Sequence, residues 1–188
     1  FPANSSLRTE AELKLLHEYV ALRTPKRVAQ IKTEMEFSGM RVGSETLQTY
    51  LEDPRYQKTA RALNQVLDEI YPTVMRQKMQ YDRVRPDRLD PTLTTVIDVP
   101  EHPAYPSGHS TQSHAVAFLF TLLAPQRQVE FEQDALRVAV NREIAGVHYP
   151  SDTAAGRFLA RQIIDAMLQN RDFAALVEVA KAEWVVQP

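Results

Sequence analysis

The chain has 188 residues, 44% hydrophobic and 24% charged, enough apolar content for one domain over 1–188 whose core needs no metal or disulfide staple. Its 22 basic and 24 acidic residues leave a formal charge of −2, which excludes a global field able to recruit nucleic acid or an anionic membrane surface, so any anion site must be local. Cysteine is absent, which excludes disulfides, thiolate catalysis and cysteine-based zinc sites together.

Five glycines in the whole chain, and apolar residues spaced three and four apart, predict amphipathic helices almost throughout. Thr9 is expected to cap a first helix carrying Leu13, Leu16 and Val20, closed by Pro25; a second runs from about 26 to 37 and stops near Gly39. Ser44 caps a short helix through Leu51. Asp53-Pro54 then supplies the N-cap and first position of a long helix whose buried stripe is Ala60, Leu63, Val66, Leu67, Ile70, Val74 and Met75, with Pro72 a candidate kink. From Asp82 to Gly108 proline, charge and short apolar pieces predict an irregular connection of functional length, in which 94–99 reads as a strand or an extended loop. Helices resume at 110–123, 130 to about 147, 151–168 and 171–184. No apolar run reaches the roughly 18–20 residues that a membrane-spanning helix needs. The chain opens on Phe1 rather than Met, so a removed leader, and with it a periplasmic or secreted location, is expected beside the cytoplasmic alternative.

Three segments, 78–86, 106–109 and 141–152, concentrate groups suited to a phosphate-like oxyanion. Lys78 and Arg85 lie seven residues apart, so a helix continuing through both would set two cations on one face about 10 Å apart. Pro106-Ser107-Gly108-His109 stands where the 110–123 helix begins: Gly108 admits a ligand close to the backbone, the helix start offers unpaired N–H groups, and Ser107 and His109 add a hydroxyl and a proton-transfer group. Arg142, His148 and Asp152 combine a planar two-oxygen fork with a histidine whose ring a carboxylate can orient, which is how a histidine becomes a nucleophile. Taken singly, each residue also has an ordinary structural role: a solvated helix charge, helix-start chemistry, or a hydrogen-bonded histidine. Their conjunction in one order is what points to a site. No histidine-carboxylate cluster suggests a metal centre.

Lys78-x6-Arg85-Pro86, Pro106-Ser107-Gly108-His109 and Arg142-x5-His148-x3-Asp152 together resemble the three-part signature of the phosphatidic acid phosphatase type 2 and vanadium haloperoxidase superfamily. The resemblance implies an all-α, single-domain helical bundle, similar to bacterial class A non-specific acid phosphatases, that hydrolyses small phosphate esters or lipid phosphates or diphosphates without a required cofactor. It implies His148 as the nucleophile, His109 as acid and base, and Asp152 as the group that orients His148. Lys78, Arg85, Ser107, Gly108 and Arg142 would hold the phosphate oxygens. One departure stands out: the family usually carries serine where this chain has Asn141, whose amide can still donate, so altered support of the site is expected. The haloperoxidase branch offers a second reading, vanadate held at His148 for halide oxidation by peroxide, with His102 similar to an additional histidine there; the short chain favours hydrolysis. A third, a non-catalytic helical binding module, has little support because all ten signature positions are filled.

Overall fold

Burial follows the apolar stripe of the longest helix, and the rest of the bundle is organised around it. The computed structural model describes residues 1–35 and 53–184. They form α1 (Leu7–Tyr19), α2 (Pro25–Thr33), α3 (Gln57–Tyr81), α4 (Pro86–Leu89), α5 (Gly108–Leu123), α6 (Gln128–Ile144), α7 (Pro150–Leu168) and α8 (Arg171–Lys181), with no strand among the described residues. The all-α expectation is met. The helix expected at Ser44 lies outside the described residues.

Helix α5 is apolar on nearly every side, burying Ala115, Val116, Ala117, Leu119, Phe120 and Leu123, so it becomes the central element. Around it pack Leu63, Val66, Ile70 and Val74 of α3, Phe131 and Ala135 of α6, Ile163 and Ile164 of α7, and Phe173 and Val177 of α8. Each large side chain so buried stabilises by roughly 1.5–3 kcal/mol. Two smaller apolar clusters, Leu16 with Leu93, Ala104 and Tyr149, and Ile31 with Ile144, Ala145 and Val147, fasten α1, α2 and the 82–107 connection against one end of the bundle. Among the described residues no helix is long and apolar enough to cross a membrane.

Several expected boundaries shift for physical reasons. Ser6, not Thr9, caps α1: its Oγ accepts the Thr9 N–H at 3.2 Å, and Thr9 turns inward with its hydroxyl on the Ala3 carbonyl. A 3₁₀ turn follows Asp53 before α3 begins, and Pro72 lies within α3 without ending it. Helix α6 stops at Ile144 because Gly146 takes φ +83°, where a Cβ would stand 2.8 Å from the Thr94 carbonyl. Residues 94–99 are extended loop, tied by the Val96 N–H to the Ala145 carbonyl at 3.3 Å.

Candidate active site

The first segment does not lie on one helix. Asp82 adopts φ +45° and its N–H returns to the Lys78 carbonyl at 2.9 Å, ending α3; Arg85 sits beyond the break as the N-cap of α4. The two cations meet through the 102–104 backbone instead. Lys78 Nζ donates to the carbonyls of Pro103 and Ala104 at 2.7 and 3.1 Å, while Arg85 donates to the His102 carbonyl at 2.9 Å, to His102 Nδ1 at 3.1 Å and to the Val147 carbonyl at 2.7 Å.

The second segment follows a cis Tyr105–Pro106 peptide. Ser107 caps α5, its Oγ accepting the Ser110 N–H at 3.3 Å, and its own N–H donates to the Asp152 carbonyl at 3.1 Å, joining the second segment to the third. At Gly108 an added Cβ would meet only Val74, at 3.8 Å, because this backbone faces open cavity. His109 Nε2 donates to the Glu34 carbonyl at 3.1 Å.

In the third segment Asp152 Oδ2 accepts the Tyr149 N–H at 3.0 Å and the His148 Nδ1–H at 3.2 Å, so His148 carries its proton on Nδ1 and presents Nε2 unprotonated. Arg142 Nη2 donates to the Ile31 carbonyl at 2.8 Å and to Glu34 Oε2 at 3.3 Å, while its Nε and Nη1 have no partner among the described residues. Asn141 lies behind, its Nδ2 donating to the same Glu34 oxygen at 2.7 Å, and Arg137 pairs with the other.

These segments enclose a cavity of about 290 Å³ in which Lys78, His102, Gly108, His109, Arg142 and His148 share the lining with an apolar wall of Ile70, Val74, Met75, Ile97 and Val147. Arg85, Ser107, Asn141 and Asp152 stand one layer back. His102 is half-buried and contributes to the cavity lining. A larger groove of about 1000 Å³ between α3, α7 and α8 contains no histidine and none of the residues of the three segments, so its size does not make it the chemical site. Among the described residues no group of three or more histidines and carboxylates could hold a metal ion. The remaining histidines are engaged elsewhere: His114 is buried against the Ser110 carbonyl at 2.8 Å, and His17 pairs with Asp90 at 2.8 Å.

Burial governs the protonation of the lining. It brings Lys78 down to about 7, helped by neighbouring Arg85, and Arg85 down to about 10. Burial, then Arg85 and Lys78, hold His148 well below its ordinary value; burial and then Arg142 bring His109 to about 3. Both histidines are therefore neutral in the free site. Burial pushes the Asp152 carboxyl upward, opposed first by Arg83.

Arg83 is one of three contributors that sequence reasoning missed. Fully buried, it pairs with Asp152 Oδ1 at 2.6 Å and Glu12 Oε2 at 3.0 Å. The other two are Glu12 and Glu34. The only signal in the sequence was an arginine two residues before Arg85; the acids lie more than 70 residues from their partners.

The structure is thus an all-α bundle in which the three segments, taken in chain order, meet around one cavity lined by histidines and cations. The sequence model of the PAP2 superfamily matches residues 59–173, and the chain belongs to that superfamily. It is 29% identical over 128 residues to an acid phosphatase of Zymomonas mobilis, covering 66% of this chain and 48% of that protein. It is 37% identical over 83 residues to a lipid A 1-phosphatase of Rhizobium etli, covering 42% of this chain and 36% of that one. The chain thus spans about half or less of the length of these curated relatives. Among solved structures it superposes on a transmembrane PAP2-type phosphatidylglycerolphosphate phosphatase from Bacillus subtilis with a TM-score of 0.61 at 15% identity, covering 84% of this chain and 83% of that one, a likeness of fold.

Proposed function

We propose that the protein hydrolyses phosphate monoesters through a phosphohistidine formed on His148, with no required cofactor. The observation that carries this reading is the unprotonated Nε2 of a buried, neutral His148, backed by Asp152, in a cavity it shares with Lys78 and Arg142. Nε2 attacks phosphorus in line while the bond to the ester oxygen breaks, and His109 delivers a proton to the departing alcohol. Water then attacks the phosphohistidine, giving its proton to His109, and inorganic phosphate leaves. The Gly108 backbone and the cations stabilise the equatorial oxygens, a preorganised electrostatic contribution.

Because His109 is neutral in the free site, the proton it delivers enters with the substrate, as a singly ionised phosphate monoester. Phosphate monoesters lose that proton near pH 6, so the rate falls above it and the optimum lies on the acidic side. The alcohol portion meets the apolar wall of Ile70, Val74 and Met75, which supports small aromatic or alkyl phosphates and leaves lipid phosphates and diphosphates for a substrate panel.

His148→Ala should abolish hydrolysis of p-nitrophenyl phosphate and with it the acid-labile phosphoenzyme trapped from the unmodified protein. Full activity in that variant overturns the assignment. His102 in the cavity lining supports a second reading, vanadate held at His148 for halide oxidation. Bromination with vanadate and peroxide, in a protein that leaves phosphate esters intact, would select it.

A further inference from the structure

A large buried cation, Arg83, stands behind Asp152. Arg83 has no atom in the cavity lining and its side chain is 0% exposed. One nitrogen, Nη1, donates to Asp152 Oδ1 and to Ser151 Oγ, both at 2.6 Å. The other, Nη2, donates to Glu12 Oε2 at 3.0 Å and to Thr9 Oγ1 at 3.3 Å. The Tyr149 ring lies 3.8 Å from the guanidinium carbon and fixes the plane of the fork. Glu12 in turn accepts the Ser151 N–H at 3.0 Å and the Ser151 hydroxyl at 2.8 Å, so α1 is fastened to the first turn of α7.

We propose that Arg83, held by Glu12, is a positioning residue: it keeps Asp152 ionised and turned so that Oδ2 faces His148 Nδ1, and thereby determines which ring nitrogen of His148 attacks. Asp152 is fully buried, and a buried carboxyl without a counter-charge takes up a proton. A protonated Asp152 could donate to His148 Nδ1 rather than accept from it, which would move the ring proton to Nε2 and remove the nucleophilic lone pair from the cavity. Lysine in place of Arg83 would preserve the charge but not the two-pronged hold on Asp152 and Glu12. The other charged or titratable groups facing this cluster are Glu12 from α1, with Arg8 3.5 Å beyond it, Glu143 from α6, Lys78 and Arg85 from either side of the α3 break, Asp87 of α4, Tyr105 from the connection, and His148 and Tyr149.

The inference rests on the phosphatase reading for its kinetic effect, so the test includes a measurement made without substrate. Histidine ring nitrogens are labelled with ¹⁵N in the unmodified protein, Arg83→Met and Arg83→Lys, and the His148 tautomer is read by NMR alongside p-nitrophenyl phosphate kinetics across pH. The unmodified protein should show the Nδ1–H tautomer. Arg83→Met should convert most of the ring to Nε2–H, lower kcat/KM by about 10–100-fold and move its acidic limb upward by about one pH unit. Arg83→Lys should leave the limb in place while lowering kcat, with KM little changed. Should Arg83→Met fail to fold, Arg83→Lys decides alone, because a fall in kcat at constant KM is what lost orientation produces. A His148 tautomer and kcat unchanged in every folded variant overturn the proposal. If no variant, including the unmodified protein, turns over phosphate esters while the tautomer still shifts, the positioning role stands and the reaction assignment fails.

Discussion

At Gly156 helix α7 packs tightly against the start of α5, and Gly156→Ala tests whether that approach sets the spacing of the site. An added Cβ would lie 2.7 Å from the Ser107 carbonyl, 2.8 Å from Ser110 Cβ and 2.9 Å from Ser110 Oγ. Neither neighbour can turn aside. The Ser107 carbonyl accepts the Thr111 N–H and hydroxyl at 3.0 and 2.9 Å, and Ser110 Oγ is bonded to the Thr153 carbonyl at 2.8 Å. Reaching ordinary contact near 3.4 Å from a 2.7 Å start requires the helices to part by about 0.7 Å. Alanine improves helix propensity by about 1 kcal/mol, whereas overpacking costs about 1–3 kcal/mol, so the net change is a loss of about 0–2 kcal/mol. The kinetic effect is larger, because α5 carries Gly108 and His109 while α7 follows His148 and carries Asp152. A displacement of that size should lower kcat/KM about 10–100-fold. Urea unfolding followed by circular dichroism, with p-nitrophenyl phosphate kinetics, measures both. A variant more stable by the helix-propensity gain and within about twofold of normal activity would refute the reasoning.

Two further outcomes follow from the lining. Lys78 titrates at about 7, lowered by burial, so it holds an oxyanion below that pH and releases its charge above it; inhibition by sulfate, whose charge is constant in this range, should weaken toward tenfold per pH unit above 7. In Lys78→Met inhibition should be weak throughout and that slope should disappear; an unchanged slope would show that another group is responsible. Asn141→Ser loses the 2.7 Å bond to Glu34 and should cost about 1–2 kcal/mol in urea unfolding while raising KM more than it lowers kcat, since Arg142 shares that carboxylate. A gain in stability would contradict the support assigned to Asn141.

Helix existence was legible because burial repeats every three or four residues, as at Leu63, Val66, Ile70 and Val74, and because α5 is apolar on most sides. Lys78, Gly108, His109, Arg142 and His148 of the cavity lining were legible because each sits in a short segment whose neighbours carry the same chemistry, whereas the apolar wall of Ile70, Val74, Met75 and Ile97 read only as core or loop. What escaped reading depends on the chain leaving its local pattern. The break at Asp82 replaced a two-turn helical spacing between Lys78 and Arg85 with a convergence through backbone carbonyls. Thr9 looked like a cap because capping residues and buried hydroxyls are the same residue types, and only Ser6 had the extended backbone that a cap requires. Glu12 and Glu34 gave no signal, since nothing within a few residues of either reveals an arginine approaching from a distant part of the chain.

The ion pairs of Glu12 and Glu34 bear on any attempt to excise a minimal catalytic segment. Residues 59–173 contain Arg83, Arg142, His148 and Asp152 but neither α1 nor α2. Cutting along that boundary would strand Arg83 without Glu12, and Arg142 without Glu34 and the Ile31 carbonyl. Arg83 would keep Asp152 at 2.6 Å, but Arg142 would lose its one carboxylate partner among the described residues; a buried cation deprived of its partner costs about 3–5 kcal/mol, a large share of the stability of an ordinary domain, about 5–15 kcal/mol. Helix α1 and the C-cap of α2 therefore supply counter-ions to Arg83 and Arg142, and an excised 59–173 fragment should be markedly less stable even though it retains every signature residue.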